Sequence, residues 1–413
     1  MESGYIACGR TENALRAEIN ALRADREKRD AHACEMHCVR CIACGRADHS
    51  HLTCVLVCAA LHRWVRQWAP EKDMTLVVDI ILRLLMWGWR EAHFGEFLTC
   101  LSYTKLGDVI VAGSRSGRIF VMSAQTGEKS LCTVNAHSDC VNAVSWSHCG
   151  KWLASGGNDK MVYIYDAQTL EVKCPVNVAS DTHPHSAVMS VSYSPSGDTV
   201  AVGCCDGTVA IVDGRHGTVA RVRGVEPINC VAFSPDGNIL AVGDGITDTG
   251  GRGGNVLLCD PATGEVKLTL TEHFAPVTSI AWNNHGTKLA IGTGPVVGYY
   301  WTVKIWSVGS AGTFECQSTL TGHTGSVLSV CFDHTGEKLA SGGGYRDNTI
   351  RFWSTKSGAS IGSPLSGHSE SVSCLAFKPG DPDILVSGSW DKTLKIWDLS
   401  TPACLSTVSG HSR

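Results

Sequence analysis

Short apolar runs broken by small polar residues recur along the chain from residue 92 onward. Val327-Leu-Ser-Val-Cys-Phe332 is representative, with side chains alternating between two faces as they do along a strand. Each run ends near an aromatic residue, namely Tyr103, Trp146, Tyr193, Phe233, Trp282, Phe332 and Phe377. A glycine follows four residues later at Gly107, Gly150, Gly197, Gly237, Gly286 and Gly336, and one residue early at Gly380. Successive aromatics stand 43, 47, 40, 49, 50 and 45 residues apart, a periodicity too regular to be accidental.

Each unit reads as four strands. Strand a carries the aromatic, a turn such as Ser234-Pro-Asp-Gly237 follows, and strand b comes next, as in Lys338-Leu-Ala-Ser-Gly342. Strand c reads Thr349-Ile-Arg-Phe-Trp353, and a looser strand d leads into the next unit. The pattern predicts an all-β fold, a seven-bladed β-propeller of four-stranded antiparallel blades over residues 92–413. One blade alone cannot bury both faces of its sheet; seven stacked in a ring bury them all. Every strand can be drawn from contiguous sequence, with Cys404–Ser409 as the last strand d, so closure requires no exchanged terminal strand. The ending at Gly410-His411-Ser-Arg413 also fits a truncated reading frame.

The last unit contains Gly367-His368 and Ser-Gly-Ser-Trp-Asp391-Lys-Thr-Leu-Lys-Ile-Trp397-Asp398. It resembles the WD-repeat (β-transducin-like) family, and the resemblance covers nearly four-fifths of the chain. It implies a hydrogen-bonded tetrad in each well-preserved blade: a His before strand a, a Ser or Thr in strand b, an Asp in the b–c turn and a Trp in strand c. Carried over, these are His368, Ser387, Asp391 and Trp397 in blade 7, and His323, Ser341, Asp347 and Trp353 in blade 6. Blade 2 offers His137, Ser155 and Asp159, with Tyr165 in the Trp slot. Mutual bonding relieves an unsatisfied-polar cost of about 1–3 kcal/mol per group, so these residues are expected to be structural and not catalytic dyads. Blades 1, 3 and 4 depart from the pattern with Met122, Val212 and Cys259 in the Trp slot; blade 5 keeps His273 and Trp306 but lacks the turn Asp. These blades are expected to be looser.

In this family the loops before strand a and between strands b and c share one face, the usual partner surface. Adjacent blades here carry Tyr299, Tyr300 and Trp301 in an insertion, then Tyr345 and Arg346, then Trp390. Tyr, Trp and Arg dominate interface hot spots, so these six are the expected partner-binding patch, unless the rings pack on their own inserted loop. The glycine-rich insert Gly243–Gly254 has neither a P-loop Lys-Ser/Thr nor a strand-to-helix setting, and Asp244 and Asp248 would repel phosphate. A solvated loop is the expectation.

Ahead of the repeats, residues 1–31 contain a candidate amphipathic helix, with Thr11 as N-cap and Leu15, Ile19 and Leu22 on one face. Residues 32–91 are rich in Cys and His, and their apolar stretches 53–68 and 74–88, separated around Pro70, predict a helical hairpin. Cys41, Cys44, Cys54 and Cys58 meet the count of a tetrahedral zinc site, but the loop between the pairs is short and Cys54-Val-Leu-Val-Cys58 also reads as an apolar helix face. No metal or other cofactor is therefore expected.

The net charge of −4 is uneven: residues 1–90 hold 13 Lys/Arg against 11 Asp/Glu, leaving 22 against 28 for the rest. With that remainder at −6, the acidic propeller has no general attraction for nucleic acid. The apolar stretch Met74–Trp89 is interrupted by Asp79 and Arg83 and is too short to span a bilayer. The 20 cysteines include Cys140, Cys230, Cys331 and Cys374 at strand positions filled by Val, Ala or Ser in sister repeats, which points to a reducing compartment, cytoplasmic or nuclear. No nucleophile elbow, P-loop, HExxH or kinase signature occurs, so the chain reads as a non-catalytic scaffold or adaptor binding other proteins or peptides on the propeller face. A G-protein β-like subunit is one alternative, weakened by some 60 residues between helix and ring. A ubiquitin-ligase substrate receptor is another, but only Val212-Asp213-Gly-Arg215 approaches the Trp-Asp-x-Arg ending of that group, and it lacks the Trp.

Overall fold

A computed structural model describes residues 96–409, apart from 125–131, 179–185, 215–216, 218, 224–226, 246–253, 272, 274, 295–300 and 310–311. The expected helix at 1–31, the stretch 32–91 with its four cysteines, and Tyr299 and Tyr300 lie outside the described residues. So do Asp248 and Arg215.

The described residues form seven antiparallel sheets built from consecutive strands, arranged as a seven-bladed propeller. The inner strands a are Leu98–Tyr103, Val141–Trp146, Val188–Tyr193, Ile228–Phe233, Val277–Trp282, Val327–Phe332 and Val372–Phe377. Blade 6 departs from four full strands: its outer edge is reduced to single bridges, Ile350 to Leu365 and Trp353 to Ser360. The intervening Gly362-Ser-Pro364 explains the break, because Pro364 has no N–H to donate and Gly362 turns away at φ +64°. The last strand, Ala403–Ser409, pairs with strand c of its own blade, so the ring closes without strand exchange.

Burial follows position in the blade. Strand b of blade 2, Trp152–Gly157, is buried from Leu153 to Gly157 because sheets stack on both its faces. Strand d at the rim alternates or lies open, as in Phe314–Leu320. The seven turn glycines picked out above, Gly107 through Gly380, all have φ between +67° and +78°, a region costly for any residue with a Cβ. A second glycine set closes the blade interfaces. At Gly203, near the end of strand b, an added Cβ would lie 2.6 Å from Ile228 Cγ2 of the next blade, and Gly243 stands in the same relation to Val277. Blades stack at close range because these positions carry no side chain.

Polar side chains on the inner strands join neighbouring blades. Asn142 Nδ2 donates to Val188 O (2.8 Å), Asn229 Nδ2 to Val277 O (3.0 Å), and Thr99 and Thr278 hydroxyls to Val141 O and Val327 O. Ser373 Oγ donates to Leu98 O at 2.7 Å, joining blade 7 to blade 1. These bonds satisfy carbonyls on an inner edge that no fifth strand covers. No helix among the described residues is long and apolar enough to cross a membrane.

Candidate functional site: the loop face of the ring

The loops on one face are held by polar clusters under them. In blade 6, Trp353 Nε1 donates to Ser341 Oγ (2.8 Å), which lies 2.6 Å from His323 Nε2; His323 Nδ1 is 2.8 Å from Asp347. The wiring that satisfies every group runs indole N–H to hydroxyl, hydroxyl to Nε2, and Nδ1–H to carboxylate. Blade 7 repeats it with Trp397, Ser387, His368 and Asp391 at 2.8, 2.7 and 2.7 Å. In blade 2, His137 stands 2.7 Å from both Asp159 and Ser155, and Tyr165 OH lies 3.3 Å from Ser155 Oγ.

Each Asp also clamps backbone. Asp347 accepts from Thr324 N (2.7 Å) in the d–a loop and Thr349 N (3.3 Å) after its own turn; Asp391 accepts from Ser369 N and Thr393 N. Burial pushes these carboxyls up, but the bonds from His and Thr outweigh it and hold both at about 2. Burial also lowers the pKa of His137, keeping the ring neutral as the wiring requires. The result is two loops per blade tied to one buried anchor.

Blades without the full set differ from one another. In blade 5, register places Ile291 where blade 6 has Ser341, so Trp306 Nε1 has no acceptor among the described residues. In blade 1, Glu96 takes over: it accepts from Ser114 Oγ (2.7 Å) and pairs with Arg118 at 2.9 Å, tying the chain before strand a to the b–c turn. In blade 4, the insert is closed at its base by Asp244, a buried residue that accepts from Asn255 Nδ2 at 2.9 Å.

Of the six patch residues, Tyr345 is 69% exposed and Trp390 42%, whereas Trp301 is half-buried. Arg346 lies over the Tyr345 ring at 5.4 Å. The turns bearing them are linked: Asn348 Nδ2 donates to Ser369 O (3.1 Å), and Trp390 N to Ser371 O (3.0 Å). Phe97, not singled out from sequence, is exposed beside them, with Lys392 Nζ at 5.4 Å and Arg115 at 5.8 Å from its ring centre. Its signal was absent because it belongs to no repeat motif and meets Lys392 only through ring closure. Among the described residues no cluster of His, Cys, Asp and Glu is arranged to hold a metal ion.

A family model described as WD domain, G-beta repeat matches residues 128–166, 177–213, 219–251, 264–307, 314–354 and 359–398. The first three strands of blade 1, where Glu96 replaces the usual anchor, fall outside those matches. The chain is similar to the periodic tryptophan protein 2 homolog of Dictyostelium discoideum, 28% identical over 63% of this chain and 26% of that protein. It is 27% identical to cell division cycle 20.1, cofactor of APC complex, of Arabidopsis thaliana, over 70% of this chain and 61% of the relative. Over 35% of the chain and 28% of the relative it is 32% identical to autophagy-related protein 16 of the same plant. The chain thus spans between about a quarter and three-fifths of the length of these relatives.

Proposed function

Because the chain belongs to the WD-repeat family of β-propellers, we propose that it is a non-catalytic scaffold that binds other proteins or peptides on the loop face. One observation carries this reading: the buried tetrads fix the loops of blades 6 and 7 while leaving Tyr345, Arg346 and Trp390 in solvent. A rigid loop bearing a large exposed ring binds at a lower ordering cost than a mobile one. The tetrad residues serve structure in this reading, since every titratable atom among them is spent on a neighbour. Relatives named for quite different processes match at similar identity, so their likeness supports the repeat and not a particular pathway. A cofactor of a larger complex, as one relative is named, is a role of the same class. The spread of free, strand-borne cysteines supports a reducing compartment, cytoplasm or nucleus.

The test is affinity purification of tagged full-length protein carrying Tyr345→Ala and Trp390→Ala. Partners recovered with the wild type are expected to be lost, with the thermal midpoint nearly unchanged because both rings face solvent. Undiminished recovery would remove this face as the partner surface. Trp301 suits the test less well, since truncating a half-buried ring disturbs its surroundings.

A further inference from the structure

We propose that the arc formed by blades 6, 7 and 1 docks an acidic peptide segment of another protein, one with Asp or Glu residues flanking an apolar anchor. This deepens the loop-face reading and rests on it. Along the arc every exposed aromatic is accompanied by a cation from a b–c turn. Arg346 lies over Tyr345, Lys392 follows two residues after Trp390, and Lys392 and Arg115 both approach Phe97. The three cations are themselves exposed.

The acids in the same turns are withdrawn. Asp347 and Asp391 keep only 1% and 6% of their side chains accessible and are committed to His323 and His368. Glu96 is committed to Arg118 and Ser114. Glu370 is the acid that remains exposed on the arc. The face presented to solvent therefore carries Arg115, Arg346 and Lys392 against Glu370, within a stretch, residues 91–413, whose overall balance is −6. On blade 2 the Lys392 position is again a lysine, Lys160, but Asn158 stands where blade 7 has Trp390, and Asp139 is exposed in the loop before strand a. It is therefore the pairing of exposed aromatic with cation that is local to the arc.

A carboxylate can take two parallel N–H groups of an arginine, and an apolar side chain beside it would lie against Trp390 or Phe97. Basic segments are disfavoured by like-charge repulsion. Nucleic acid fits poorly, because three cations neutralise few of the phosphates that a duplex carries at one per about 1.7 Å, and the rest would face an acidic ring.

Random peptides of about 12 residues displayed on phage and selected on the full-length protein test the idea. Selected sequences should be enriched in Asp and Glu around an aliphatic or aromatic residue. Synthetic copies should lose at least about tenfold in affinity on Arg115→Glu/Arg346→Glu/Lys392→Glu, and weaken steadily with added salt. The milder Arg115→Gln/Lys392→Gln should fall between the two with an unchanged melting profile, which guards against misfolding. The proposal is overturned if selection enriches neutral or basic peptides or none, if charge reversal leaves affinity unchanged, or if a single-stranded oligonucleotide displaces the peptides. Should cellular partners depend on Tyr345 and Trp390 but not on the cations, the loop-face reading stands and this one falls.

Discussion

At the scale of single residues, the tetrads tie stability to pH. Asp347 and Asp391 sit at about 2 in the folded chain against an ordinary 3.8, so the unfolded state binds protons first as pH falls. Their contribution is complete above about pH 4 and is lost between there and about pH 2. His137, lowered by burial, adds a gentler decline as pH drops below its ordinary 6.5. Urea midpoints followed across this range should show both slopes, and Asp347→Asn/Asp391→Asn should flatten the lower one. Ser341→Ala, which strands His323 and Trp353, should cost about 1–3 kcal/mol. Cysteines separate by burial in the same way: Cys140 and Cys374 are pushed up to about 11 and about 12, whereas exposed Cys149 is lowered, its Ser147 and backbone bonds outweighing slight burial. Iodoacetamide with peptide mapping should label Cys149 well before Cys374 in native protein.

At the scale of the element, a blade is defined by where it needs room and where it needs a partner. Gly203→Ala would drive a Cβ into Ile228 of the next blade, and a cost of about 1–3 kcal/mol is expected in denaturation. The motif of the seven aromatics and turn glycines was legible because each marks a local backbone demand, a strand end and a left-handed turn. Strand d of blade 6 was legible only as a looser strand: its break at Gly362-Ser-Pro364 and the two surviving bridges depend on how the chain lies against Ile350 and Trp353. Ile291 stands five residues after Gly286 as Ser341 stands five after Gly336, so the missing serine of blade 5 was already legible in the repeat spacing, and strand pairing gives the same alignment.

At the scale of the whole molecule, the ring is as sound as its joint between the first and last blades. Ser373→Ala removes the bond to Leu98 O and should cost about 1 kcal/mol, read as a lowered denaturant midpoint with a single transition retained. Deleting residues 364–413 removes the closing blade altogether. The remaining chain should fail to give a cooperative melt, because the Leu98 strand and the Ile350 strand would each lose a covering sheet.

The amino-acid sequence by itself determined the number of blades and the order of their strands, which are written in residue types at fixed local offsets, while its resemblance to the WD-repeat family implied the tetrad positions. The tertiary structure alone decided which surface groups meet across the ring. Phe97 finds Lys392 from the far end of the chain, and Tyr345 and Trp390 share an arc through Asn348 and Ser369. Contacts of that kind arise from closure, and closure has no local signature because the residues it joins are distant along the chain.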